Sequence, residues 1–458
     1  MIGGRSFVAQ RFFLAPSRAV RPRELASSTP IDPGPGLLIK YVIINLLIIL
    51  LMFLNMIYFV IMMNQTPRND FGRTFLSARM RLEGGSLYAV NDSIRWNRED
   101  GSEVLLKNLN PPHFHLLLLP FARLRTEIAL GIWIVAGIAC FAAALRAIGA
   151  ELEIKFDSYE RSAAVLAGLS FVGTSAALAA GHMTGILMVI STFAWIDARR
   201  GRWTRAGCLI GLAASIKPFF LIFFPYFWLA GKKRAVAACS LAIVGSFAIG
   251  ALAFGIDSYR DWIKNLLEAD GWTSALGNAS IDGLLSRSFT TDPRRHKMIY
   301  LDLQYYNTLR ISLSALIGYA SLAIARSEAT TSRVDRSFAA LILAALLISP
   351  LGWTYYFWLP VAPVVSIAID RVRNPEVVPD RFNRASAILF YAALPGLGMP
   401  TLPRVEAFVP RSLEYIIHNL YFFSLFLIWM SVILDAAGAI RRGASDRSRS
   451  ARIEKGAV

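Results

Sequence analysis

An all-α polytopic membrane protein is predicted by three observations. Hydrophobic residues make up 55% of the 458-residue chain and charged residues only 17%, less charge than a soluble domain carries. Several uninterrupted apolar runs reach the ~18–20 residues that cross a bilayer as helix. Lys and Arg, which give the chain its net charge of +17, lie between those runs and in the tails, as the positive-inside rule requires. The runs are continuous rather than alternating, which argues against a β-barrel. A basic chain of this kind attracts anionic lipid headgroups. No basic stretch interleaved with aromatics points to nucleic acid.

Residues 1–36 read as a basic cytoplasmic tail, 37–435 as the transmembrane domain, and 436–458 as a second basic tail. Arg5, Arg11, Arg18, Arg21 and Arg23 precede the first apolar run. That run is too long for the h-region of a signal peptide, so it is expected to stay as the first helix, 37–63. Outer loops are expected at about 64–125 and 256–304 from the boundaries of the apolar runs. In the first loop, 71–82 reads as an interfacial amphipathic helix. Residues 113–124 are apolar but too few to span, so they are expected as a helix at or dipping into the surface. Spans follow at 128–148, 162–180 and 184–196, with Gly181-His182-Met183 as the turn between the last two.

The stretches 206–216 and 219–230 are each too short to span, at ~17–20 Å of helix against about 30 Å of hydrocarbon. Basic clusters precede and follow them. A re-entrant hairpin with Lys217 at its tip keeps both clusters on the cytoplasmic side. Pro218 disfavours helix at the residue before it, which suits a tip. Further spans are expected at 236–255, 305–325, 337–348, 353–368, 385–399 and 413–435. The tally is about 12 helices, some short or re-entrant, with both termini cytoplasmic and no internal repeat. Cys140, Cys208 and Cys239 lie inside apolar runs at no metal-ligand spacing, and are expected as small core residues.

A few polar residues interrupt this plan. Asp70 follows the first helix at the outer surface, as either a solvated acid or helix cap, or a general base near the headgroups. Lys217 lies between two apolar runs, where an amine either snorkels to the interface or serves a buried function such as holding a phosphate. His182 is compatible with a cap or a phosphate ligand. No His, Cys or carboxylate accompanies it at a zinc spacing. Arg287 offers a bidentate fork for phosphate, and Arg294, Arg295 and Lys297 follow it in the sequence. Trp353, Tyr355, Tyr356 and Trp358 form either an interface belt or a sugar-facing wall. Three triplets, at Asn64, Asn91 and Asn278, match the glycosylation pattern, which matters only in a eukaryotic secretory compartment.

The order of motifs carries a resemblance. Asp70-Phe71 is followed by Gly85-Ser86-Leu87-Tyr88, then Asn110-Pro111-Pro112 and an apolar run. Gly181-His182, Ala206-Gly207 and Lys217-Pro218 come next. Asn278-Ala279-Ser280, Gly283-Leu284-Leu285 with Arg287, and Ser349-Pro350-Leu351-Gly352-Trp353 complete the series. Over roughly residues 40–370 this resembles glycosyltransferase family 87, integral-membrane enzymes of the GT-C class that include polyprenyl-phosphate-mannose-dependent α-1,2-mannosyltransferases.

The resemblance implies a GT-C fold and a site at the extracytoplasmic face. It implies inverting transfer from a polyprenyl-phosphate sugar to a glycolipid or glycan acceptor, with no cofactor beyond that donor. A lone acid gives no reason to invoke a metal. It implies Asp70 as base, with Lys217, Arg287 and His182 near the donor phosphate. It implies Tyr88, Asn110, His113, Asn278, Trp353, Tyr355 and Tyr356 as substrate-facing. Two departures stand out: relatives more often have Gln at the position of His182, and often carry histidine where this chain has Tyr355 and Tyr356. A bacterial inner membrane is the expected location. The rival reading is a transporter or lipid flippase, which the missing repeat and the two long outer loops disfavour. A third is a non-catalytic scaffold in envelope assembly.

Overall fold

The computed structural model describes residues 35–63, 70–88, 95–97, 103–105, 107–155, 158–268, 273–290, 299–324, 331–373, 381–400 and 410–456. Most of the N-terminal tail, the Asn64 and Asn91 triplets, and Arg294, Arg295 and Lys297 lie outside the described residues. The chain forms two compact units, Met1–Leu46 and Leu47–Val458. The first contributes the beginning of the first helix, and everything below concerns the second.

Helix α1 (Pro35–Met63) opens on a proline, whose fixed φ suits a first turn. Helix α2 (Asp70–Leu82) buries Phe71, Thr74, Phe75 and Ala78. Its apolar face is therefore covered by protein, not laid on a lipid surface as expected. A small antiparallel pair follows, β1 (Arg95–Asn97) with β2 (Glu103–Leu105). The expected surface helix at 113–124 is instead two 3-10 segments, Pro112–Leu117 and Leu119–Phe121. Pro120 lacks an N–H and crowds the turn before it, which breaks a continuous α-helix there.

Helix α3 (Thr126–Glu151) is a full span. The next expected span is two helices, α4 (Ser158–Leu169) and α5 (Val172–Ala179), bent by 55°. Phe171 between them is extended (φ −80°, ψ 124°). Helix α6 (Thr184–Arg199) leads to α7 (Trp203–Ile216). At Lys217 the backbone is extended (φ −130°, ψ 101°), as Pro218 demands. A 3-10 segment, Pro218–Ile222, and α8 (Phe223–Leu229) bring the chain back. The Trp203 ring lies 4.7 Å from the Lys232 amine and touches Tyr226 and Phe227. The chain thus leaves this hairpin beside the point where it entered.

Helix α9 (Lys233–Phe254) packs closely along α7. A Cβ on Gly207 would stand 2.2 Å from the Ala235 carbonyl oxygen, so only glycine permits that approach. Between α9 and the next long helix the chain carries α10 (Asp257–Leu267), α11 (Ile281–Ser288) and a two-residue parallel pair, β3 (Phe289–Thr290) with β4 (Ile299–Tyr300). Then come α12 (Leu303–Ala323), α13 (Thr331–Ile348), a 3-10 segment Thr354–Trp358 and α14 (Val361–Arg373). The last elements are α15 (Arg381–Gly398), α16 (Arg411–His418) and α17 (Leu420–Gly456), which continues through the expected C-terminal tail.

Among the described residues four helices are long and apolar enough to cross a membrane by length and composition, or five counting the bent pair. The remaining expected spans are helices that fall short of that test in length or apolar composition. Every residue of α13 from 337 to 347 is buried, so it is the central helix. By contrast Leu50, Phe53 and Val60 of α1 and Leu241, Val244 and Leu252 of α9 are exposed, as lipid-facing positions are. Inside this apolar body several polar groups are paired. Asn55 donates to the carbonyls of Ser170 (3.0 Å) and Gly398 (2.8 Å). The Arg199 guanidinium pairs with Asp335 and with Glu151. Of the cysteines, Cys239 is buried, Cys140 half-buried and Cys208 exposed.

Candidate active site

Asp70 is placed by the turn that separates α5 from α6. Phe71 N–H donates to the Ala180 carbonyl (3.0 Å), and the Trp133 indole donates to the Gly181 carbonyl (2.8 Å). The Phe71 ring stacks on Phe75 and leans on Trp133. Gly181 has φ +56°, and a Cβ there would stand 2.5 Å from Cβ of Phe71. Left-handed backbone and lack of space both require glycine. Gly181→Ala is expected to cost about 2–4 kcal/mol, from the αL penalty and overpacking together. It should lower the unfolding temperature in detergent; an unchanged midpoint would show that α2 is not seated through this turn.

The Asp70 carboxylate is paired with Arg73, one turn on in α2, and the Tyr355 hydroxyl faces it. Burial, the largest single influence, raises its pKa. Arg73, His182, Lys217 and the Tyr355 hydroxyl together outweigh it, so Asp70 lies below its ordinary 3.8 and is ionised at neutral pH. Lys217 does not bond it directly. Its amine donates to Asn110 Oδ1 (3.0 Å), Asn110 Nδ2 to Thr74 Oγ1 (3.0 Å), and Thr74 Oγ1 to the Asp70 carbonyl (2.8 Å). The hairpin tip is thereby tied to the start of α2.

Asn110 is itself held from behind. Its N–H donates to Asn108 Oδ1 (3.1 Å), and its carbonyl accepts from the Tyr88 hydroxyl (2.7 Å). Asn108 Nδ2 donates to Ser77 Oγ (2.8 Å) and lies 2.6 Å from His115 Nε2. His115 Nδ1 faces the Pro111 carbonyl (3.1 Å). Burial pushes His115 down to about 4, so it is neutral, with Nδ1 donating and Nε2 accepting.

The opposite wall is aromatic. His182 stacks on Tyr355 at 3.9 Å and 19°, and meets Tyr356 edge-on at 5.0 Å. Its Nδ1 is 2.7 Å from Thr184 Oγ1 and its Nε2 3.4 Å from the Tyr356 hydroxyl. Trp353 extends the stack on the far side of Tyr355. Burial lowers His182 to about 3, so it brings no positive charge to a phosphate at neutral pH.

Asp70, Arg73, Asn110, Lys217, His182, Trp353, Tyr355 and Tyr356 all line one cavity of about 1060 Å³. Its apolar part includes Tyr58, Ile61 and Met62 at the end of α1, with Ile216 and Phe219 of the hairpin.

Four residues expected at the site stand elsewhere. Arg287 spends its guanidinium on Asn419 Oδ1 (2.9 Å) and the carbonyls of Ala275 (2.8 Å) and Asn278 (3.0 Å), and does not line the cavity. It ties the segment around α11 to the start of α17, and a phosphate would have to displace three bonds to use it. Asn278 is fully buried. Its amide donates to the carbonyls of Thr273 and Pro350 and accepts from Gly352 N–H (2.8 Å). It therefore pins the turn that presents Trp353 without lining the cavity itself. His113 sits between Phe247 and Tyr259, with Nδ1 3.1 Å from the Tyr259 hydroxyl, and packs the loop on α9. Tyr88 stands behind Asn110. Sequence reasoning passed over Arg73, Thr74, Asn108 and His115. Only Arg73 had a legible signal, three residues beyond Asp70 on a helix. Among the described residues no three His, Cys, Asp or Glu side chains are grouped to hold a metal ion.

A helical membrane domain enclosing a cavity lined by one carboxylate, the cations Arg73, Lys107 and Lys217, and an aromatic wall fits a membrane-embedded group-transfer enzyme. The family model of glycosyltransferase family 87 matches residues 108–350. The chain belongs to that family and is an integral-membrane glycosyltransferase. Asn110, His182 and Lys217 fall within the match, while Asp70, Arg73 and the Trp353 wall flank it. No curated protein and no solved structure matches the chain.

Proposed function

We propose that the cavity transfers a sugar, with mannose the first candidate, from a polyprenyl-phosphate donor to a hydroxyl of a lipid-linked or glycan acceptor. The observation that carries this reading is the meeting of Asp70, Arg73 and Lys217 in a cavity whose other part is apolar. The donor's prenyl chain lies along the apolar part and its phosphate beside Lys217. Asp70 takes the proton from the acceptor O–H. The acceptor oxygen attacks the anomeric carbon from the face opposite the phosphate. The carbon–oxygen bond to phosphate breaks, its electron pair leaving on the phosphate, and configuration inverts. The nearby cations stabilise that developing charge, and phosphate needs no proton to leave.

The aromatic rings at 353, 355 and 356 offer faces for the sugar or acceptor. The site lies at the extracytoplasmic face of a bacterial inner membrane, with both termini cytoplasmic. The Arg199, Arg200, Arg202, Lys232 and Lys233 cluster at the hairpin's base supports that orientation. Purified protein in detergent should transfer radiolabelled sugar from a polyprenyl-phosphate donor to a lipid acceptor. Detergent abolishes any transport readout, which needs sealed vesicles. Transfer from nucleotide sugars but from no polyprenyl-phosphate sugar would overturn the donor assignment.

A further inference from the structure

We propose that Arg73 is a positioning residue that masks the Asp70 carboxylate in the empty site and is drawn off it by the donor's phosphate, so that the base is exposed only once the donor is bound. This rests on the reading of Asp70 as the base.

The geometry separates the three cations that line the cavity: Lys107 is paired with Glu268 (2.5 Å). Lys217 is occupied by the neutral amide of Asn110. Arg73 is the direct counter-ion of Asp70. Among the described residues its other polar contact is weak: Nη1 reaches the Lys107 carbonyl only at 3.4 Å. The side chain is 19% exposed and lines the cavity. A long side chain one turn from its partner leaves it by rotating its own torsions, without moving α2. Arg287 shows the contrast, since three good bonds hold it in place.

A guanidinium on a carboxylate costs the carboxylate basicity, because it stabilises the ionised form. The groups facing Asp70 are Arg73 from α2, His182 from the α5–α6 turn, Lys217 from the hairpin tip, and Tyr355 and Tyr356 from the 3-10 segment. Among the described residues Arg73 is the strongest of the positive charges acting on the acid, ahead of His182 and Lys217. A phosphodiester entering beside Lys217 offers Arg73 an anion with which it can form the same bidentate fork. If Arg73 follows the phosphate, the strongest of the influences that hold Asp70 ionised goes with it, and its proton affinity rises. An acceptor hydroxyl is thus activated only where there is a sugar to receive it.

The test compares two pH profiles of the full-length wild-type protein. The acid limb of kcat/KM for donor reports the free enzyme, and that of kcat the donor-bound enzyme. The donor phosphodiester does not titrate near the carboxylate range. The kcat limb is expected to lie higher in pH by about 1–3 units, the effect of a neighbouring opposite charge. In Arg73→Gln the free-enzyme limb should rise to meet it, with donor KM raised about 10-fold or more, as for a lost bond to a charged group. Arg73→Lys should restore part of the separation. Coincident limbs in the wild type, or a limb that Arg73→Gln does not move, would overturn the proposal. Asp70→Asn keeps the two readings apart. If it is active, the base assignment itself is wrong. If it is inactive while the limbs coincide, only the masking is wrong.

Discussion

Asp70→Asn is expected to give folded protein that binds donor but turns over about 10²–10⁴-fold more slowly, the usual contribution of a positioned general base. The amide keeps the size of the carboxylate and its oxygen still accepts from Arg73. The Phe71–Ala180 bond and the Gly181 seat do not involve the side chain, so α2 keeps its place. What is lost is the ability to take a proton. Donor binding measured by equilibrium dialysis and single-turnover transfer separate these effects. Full turnover in the Asn variant would end the mechanism.

A stability readout accompanies it, with a definite sign. Asp70 has a folded-state pKa below its ordinary 3.8. Its ionisation therefore stabilises the fold above that value, and the contribution fades as pH falls through the lower folded pKa. The wild type should melt above Asp70→Asn at neutral pH, and the gap should close in strong acid. A gap independent of pH would mean that the Arg73 and Tyr355 contacts do not depend on the charge.

Lys217→Ala has the second largest expected effect. An amine bonded to an anion in a partly desolvated site contributes about 1.5–3 kcal/mol, roughly a 10–150-fold rise in donor KM. The effect on kcat should be smaller unless the leaving charge rests mainly on this amine. Removal also frees Asn110, so the comparison needs Asn110→Ala, which loosens the amide while leaving the cation. Lys217→Ala should weaken donor much more than Asn110→Ala. Donor affinity unchanged in Lys217→Ala would remove this lysine from the phosphate site.

Much of the fold was legible in the sequence because it rests on local chemistry. Long apolar runs announced α1, α3, α9 and α17. Pro218 announced the break at Lys217, and Gly181 with His182 the turn beneath Asp70. The surface helix at 113–124 failed for a local reason too, since Pro120 breaks a run whose hydrophobicity alone reads as helix. The site was less legible, because its sorting depends on distant backbone. Whether Arg287 meets a ligand depends on carbonyls at 275 and 278 and on Asn419, which lies 132 residues further along the chain. His113 and His115 are near neighbours in sequence. The 3-10 turn sends one against Tyr259 and the other towards Asn108. Nothing in the order of residues says which.

The hairpin between Trp203 and Lys232 carries one more consequence for the proposed chemistry. Its 14-residue first arm is about 21 Å long, and the chain then doubles back instead of continuing across. Beyond Lys217 there is no further helix of that hairpin to complete the crossing of a ~30 Å hydrocarbon layer. On the proposed reading, the cavity lined by Lys217, Pro218 and Phe219 is a berth in which a lipid-borne phosphate sinks below the plane of its neighbours, while its isoprenoid tail stays in the leaflet. A reactive sugar would then be handled at the edge of the oil and not in open water, where hydrolysis competes with transfer.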